Sequence, residues 1–136
     1  MAHMLAALVL ALALSSTTHA QINSPPPTLM GQASHHLYSV PGVVHAGSLA
    51  TFFSCTNTTD NAIRVGVEVF GPGGGAPQND ASATSLNVSP SGTAMFGSTA
   101  AGLSPDSNIA IGLISKGSAR ILAGTMNRFT DPNPRP

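Results

Sequence analysis

Charge is what this chain has least of. Only 7% of its 136 residues are Asp, Glu, Lys or Arg, against roughly 25% in an ordinary globular domain. Arg64, Lys116, Arg120, Arg128 and Arg135 balance Asp60, Glu68, Asp80, Asp106 and Asp131. No basic stripe exists to displace counterions from phosphates, which argues against nucleic acid as a partner. Tryptophan is absent, and Tyr38 is joined by only five phenylalanines. Sugar sites commonly stack their ligands on aromatic rings, so that poverty weighs against a lectin. One cysteine, Cys55, cannot close an internal disulfide, so the chain is not a stapled mini-domain. Structural zinc lacks thiolates for the same reason. Cys55 reads either as a small buried hydrophobe or as a thiol for an intermolecular bond.

Long apolar runs are also few. The one at Met4 to Leu14, "MLAALVLALAL", has the length of a signal-peptide core and is too short to span a bilayer. "SSTTHA" follows, with Thr18 and Ala20 at the small-residue positions of a cleavage site. Residues 1–20 are therefore expected to be a signal peptide, although its first residues hold no Lys or Arg. The product is expected to be exported, periplasmic or extracellular, and free of the membrane once the signal is removed. No cysteine stands directly after the apolar core, the only one being Cys55, which argues against a lipid anchor.

What remains suits one domain. Residues 21–34 read as an extended leader, because Pro25, Pro26 and Pro27 favour polyproline geometry. Residues 35–128 read as a single β domain, and 129–136 as a Pro-rich tail that cannot join a sheet. Apolar residues recur with a period of two, not 3.6. "HLYSV" should end at Pro41-Gly42 and "VVHA" at Gly47. "SLATFFSC" places Phe53 and Cys55 on one face. "AIRVGVEVF" is the strongest strand, with Ile63, Val65, Val67 and Val69 facing the core and Arg64, Gly66 and Glu68 facing away. "ATSLNVS" and "TAMFG" follow. "IAIGLIS" reads as a strand, "KGS" as a tight turn, and "ARILAGTMNRF" as the last strand. About seven strands with turns every eight to twelve residues predict an antiparallel two-sheet β-sandwich of immunoglobulin-like type; a jelly roll or partly open barrel is the alternative.

Several stretches imitate chemical motifs. "GPGGGA", Gly71 to Ala76, matches the glycine pattern of a dinucleotide site. Such a site needs a helix after the glycines to hold the pyrophosphate, and an acidic residue about twenty positions on. "PQNDASATSLNVSPSG" has no helical period, and Ser91 stands where the acid should be. The loop is therefore expected to be a turn, with no nucleotide and no other cofactor. His35, His36 and His45 are weak candidates for metal ligation, but no His occurs near a late Cys-Met loop as copper sites require. No G-x-S-x-G nucleophile stands after the leader. Glu68 is the only strand-borne carboxylate, expected to be solvated and paired with Arg64 or Arg120. No catalytic residue is assigned. "NTT" at Asn57 and "NVS" at Asn87 match glycosylation acceptors, and read first as polar turn and strand residues.

The run "FFSCTNTTDNAIRVGVEVFGPGGGAPQNDASATSLNVSPSGTAMFG", with "KGSARILA" from Lys116 to Ala123, resembles small exported bacterial β-sandwich proteins of unassigned function. Their pattern is a strand ending Cys-Thr-Asn, then V-x-V-E-V-F, a Gly-rich loop and a P-x-G-T turn before Phe. The resemblance covers about Phe52 to Ala123. It implies a sandwich fold and a further cysteine after the last strand, where this chain reads "GTMNRFTDPNPRP". The expected role is a non-catalytic exported domain acting by surface binding or assembly, through an unknown protein or surface partner or by self-association. A metal-binding protein using its His residues is the first alternative, and a small hydrolase the second.

Overall fold

A computed structural model describes residues 24–98 and 104–125. Residues 1–20, expected to be a signal peptide, residues 21–23 of the expected leader, residues 99–103 and everything after Thr125 lie outside the described residues. The described part is all-β and forms two sheets, a curled half-barrel and a smaller sheet. Its strands are β1 (Ser34–Ala46), β2 (Leu49–Ala50), β3 (Phe52–Thr56), β4 (Ile63–Phe70), β5 (Leu86–Val88), β6 (Thr93–Gly97), β7 (Ser107–Asn108) and β8 (Ile114–Thr125). A single-turn helix, α1 (Ala81–Thr84), lies between β4 and β5. The larger sheet runs β2-β1-β8-β4-β5 and the smaller runs β3-β6-β7. Neighbours are antiparallel except β6 and β7, which are parallel.

The alternation in β4 does what its sequence predicts on one face. Val65, Val67 and Val69 are buried and join Phe53, Phe96, Ile109 and Ile121 in the core between the sheets. Three boundaries differ from expectation. β1 does not stop at Pro41-Gly42 but continues through it along β8. Pro41 ends a regular stretch of pairing: a register shift follows it directly and Gly42 takes φ +79°, so the residue without an N–H stands at an irregularity of the ladder. Lys116-Gly117-Ser118 is not a turn but part of β8. A Cβ on Gly117 would stand 2.8 Å from the Phe70 carbonyl oxygen and 2.7 Å from Ile114 Cγ2, so glycine serves close packing there. Ile109 to Leu113 forms no strand: Ile109 plugs the core, while Leu113 is 82% exposed.

The second face of β4 is the larger departure. Glu68 is buried, not solvated, and its carboxylate accepts a 2.5 Å hydrogen bond from Arg120 Nε on the neighbouring β8. The leader covers this pair. Arg120 also donates to the carbonyl oxygens of Ser24 and Pro25, at 2.5 and 3.3 Å. Its guanidinium lies 5.5 Å from the Phe70 ring centroid. Leu29 is fully buried against Ala81 and Leu122. Gly66 makes room for it, since a Cβ there would meet Leu29 Cδ2 at 2.8 Å. The segment read as an extended leader is thus the lid on the outer face of the sheet.

Candidate functional site

The glycine loop is built as a turn. Gly74 and Gly75 take φ of +71° and +90°, and Gly74 N–H donates to Gly71 O at 3.1 Å. These are turn conformations that glycine adopts at low cost. A helical turn does follow, contrary to the expectation of none, but its N-terminus is already filled. The Asp80 side chain accepts from the amides of Ser82 (2.9 Å) and Ala83 (3.2 Å). A carboxylate already on those N–H groups leaves them nothing for a phosphate. The loop has a structural task instead. The Asn79 amide accepts from Val69 N–H and donates to Val67 O, at 2.8 and 2.7 Å. It closes the stretch of β4 edge beyond the three residues paired with β5.

The other sequence-predicted residues are scattered. His35 and His36 are exposed at the start of β1, and His36 Nε2 lies 3.0 Å from Ser39 Oγ. His45 is on the order of 30 Å further along the strand. Its Nδ1 donates to the carbonyl oxygens of Ile111 and Gly112, at 3.0 and 3.2 Å. That ties the strandless segment 109–113 to β1. Among the described residues no three His, Cys, Asp or Glu side chains gather as an ion would require. Asn57 is buried and has both amide ends filled. Its Nδ2 donates to Asn61 O and Val88 O, and its Oδ1 accepts from Thr59 N–H and Oγ1. Asn57 is an organiser of its turn.

One feature was not predicted from sequence. Between β1 and β3 the two sheets stand apart and leave an apolar cleft of about 390 Å³. Leu37, Tyr38 and Val40 of β1 form one wall, and Phe52 to Thr56 of β3 the other. Ile63 and Val65 of β4 and Ile121 of β8 also line it. Inner positions are protected, with Phe53, Val65 and Ile121 buried. The mouth is open, with Tyr38 69% and Leu37 47% exposed. Cys55 is half-buried in the wall, and burial raises its thiol pKa by disfavouring the thiolate. Among the described residues the lining includes no carboxylate, imidazole or amine. Its chemistry is that of binding apolar groups.

The backbone beside the cleft is also available. β1 is bonded along β8 on one side, but β2 meets its other side only at His45 and Ala46. Val44 is satisfied by the Thr51 hydroxyl, which accepts its N–H at 2.9 Å and donates to its carbonyl at 3.1 Å. Among the described residues no strand pairs with the outer edge of β1 from Ser34 to Val43. β1 carries no Asp, Glu, Lys or Arg along its length. Sequence alternation alone could not show this, because an unpaired edge depends on which strand ends up outermost. The one legible signal was the absence of charge in "SHHLYSVPGVVHA". Among the described residues, fold and site define an all-β, two-sheet arrangement with an open apolar cleft beside a strand edge that no described strand pairs. No family model, curated protein or solved structure matches the chain.

Proposed function

We propose that this is an exported, non-catalytic domain of bacterial type that acts by contact, receiving an extended, uncharged, apolar segment of a protein partner in the cleft between β1 and β3. In this reading the half-barrel and the smaller sheet are an immunoglobulin-like sandwich left open along one side. One observation carries the proposal: the cleft is apolar, open to solvent and bordered by an uncharged strand edge that is unpaired among the described residues. Edges of this kind recruit extended peptides, whose backbone adds to the ladder while alternate side chains enter pockets. The near absence of surface charge suits a partner that is itself uncharged.

The chain supplies its own reporter. Tyr38 is the only tyrosine, tryptophan is absent, and Tyr38 stands at the mouth of the cleft. A synthetic peptide of alternating Val and Thr should change Tyr38 fluorescence in a saturable way. Leu37→Lys, at an exposed position of the wall, should weaken that binding at least tenfold while leaving the far-ultraviolet dichroism unchanged. Absence of any saturable change in the unmodified protein would remove the reading.

A further inference from the structure

We propose that the groove on the outer face of the five-stranded sheet is an exchange site, which takes residues 24–29 of a second copy of this chain in place of its own. The cleft lies on the other face, so the two readings stand or fall separately. What holds the segment is the sheet, not the neighbouring chain. Arg120, 2% exposed, donates to the carbonyl oxygens of Ser24 and Pro25 from within the groove. Leu29 seats against Ala81 and Leu122, in the space that Gly66 leaves. These contacts come from β8, β4 and α1. The same "SPPPTL" arriving from another molecule would make every one of them, because a copy fits the groove by identity. Pro25, Pro26 and Pro27 keep the segment extended before it docks, so docking costs little ordering.

The connection to β1 is short and strained. One tight turn joins the segment to the strand, closed by Leu29 N–H to Gln32 O at 2.8 Å and Gln32 N–H to Leu29 O at 3.0 Å. Its central residues, Met30 and Gly31, take φ of +50° and +79°. Such turns favour Asn or Asp before the glycine, because a left-handed φ crowds Cβ against the carbonyl oxygen. Met30 is nonetheless held there, its N–H donating to Ser82 Oγ at 2.8 Å. Ser34 Oγ adds a bond to Pro27 O at 2.5 Å. Straightening the turn gives up these local bonds, relieves Met30 and leaves the groove contacts to be remade. Short hinges under strain are where elements pass between copies. Direction agrees. Ser24 lies at Arg120 and Leu29 at Leu122, whereas β1 pairs His36 with Leu122 and Ser39 with Arg120. The segment therefore runs antiparallel to β1, and once opened it leads away from its own sheet. With so few charges on the chain, little repulsion opposes the approach of a second copy.

A disulfide traps the segment wherever it sits. A Cβ at residue 66 lies 2.8 Å from Leu29 Cδ2, so Leu29→Cys with Gly66→Cys brings two thiols within bonding range, and Cys55→Ser removes the native one. The full chain carrying these changes, concentrated, warmed, cooled and then treated with glutathione disulfide, should yield dimers that stay joined in urea and part on reduction. Kept dilute and cold, it should give internally crosslinked monomers. Met30→Gly, which accepts the positive φ, should lower the linked-dimer fraction at least fivefold. Gly31→Pro, which forbids it, should raise that fraction at least fivefold. Crosslinked monomers alone under every condition would overturn the proposal, as would a linked fraction that ignores both hinge changes. Gly31→Pro in the otherwise unmodified chain tests it without new cysteines. Sedimentation equilibrium should show association at least tenfold tighter than in the unmodified chain, reversed by an excess of Ser-Pro-Pro-Pro-Thr-Leu peptide. Unchanged association would overturn the proposal. A dimer dispersed by the Val/Thr peptide instead belongs to the β1 edge, and would overturn it too while leaving the cleft reading in place.

Discussion

The two faces of the five-stranded sheet are covered by different means. On the outer face a short irregular segment seals everything. Leu29 fills the space opposite Gly66, and Arg120 spends its donors on Glu68 and on the backbone and hydroxyl of Ser24 and the carbonyl of Pro25. On the inner face a whole second sheet does the covering and leaves a cleft. The difference shows how apolar packing and polar satisfaction divide the work. A buried charge pair tolerates no gap, because an unpaired member would face a large desolvation cost. A purely apolar lining can stay partly open, since each exposed carbon costs little. Openness is therefore found where no charge is buried.

That contrast can be broken most severely at Arg120. Arg120→Ala strands the Glu68 carboxylate and releases the leader, and should cost about 3–5 kcal/mol of unfolding free energy. Urea denaturation measures it, and a loss within error of zero would show that the outer face is not sealed by the pair. Leu29→Ala comes next, expected at about 2–4 kcal/mol for a fully buried Leu. Its cost should exceed that of Leu49→Ala, because Leu49 is exposed. The smallest effect belongs to the cleft. Cys55→Ala should change stability by about 1 kcal/mol or less. The thiol itself sharpens the comparison. Burial favours its neutral form, so its contribution to stability is present below the ordinary thiol range and fades as pH rises through its raised folded pKa. Alkylation of Cys55 by iodoacetamide should be slower in the folded protein than in urea at pH 8. Its rate should go on climbing at pH values where the unfolded thiol has levelled off.

The inner face was readable from sequence and the outer face was not. "VGVEVF" shows a strict alternation, and Val65, Val67 and Val69 do point into the core. The same alternation makes Glu68 look solvated. Nothing local reveals that Ser24 and Pro25, more than forty residues earlier, come to lie over it. Three prolines correctly exclude helix from the leader, but they say nothing of whether an irregular segment packs. Leu29 in "PTLMG" and the small Gly66 were the two halves of the missing signal, since a strand needs no glycine on a solvated face. "KGS" misled because glycine beside polar residues is the ordinary turn signature, whereas Gly117 is required by the approach of the Phe70 carbonyl. The cleft lay beyond sequence reasoning for a different cause: β1 and β3 are close in the chain but belong to different sheets, and local alternation does not say which sheet a strand joins.

Strand order also governs how the fold can be reached. β8, the last of the described strands, sits between β1 and β4. The hydrogen bond from Arg120 to Ser24 joins residues 96 positions apart. The five-stranded sheet therefore cannot assemble until almost the whole described chain is present, and its closure is governed by non-local contacts that form slowly. A chain emerging N-terminus first holds β1 and β4 apart, without the strand that joins them, until β8 arrives. Such a topology resists premature folding: the five-stranded sheet stays open until β8 has been made, and then closes in one step around it.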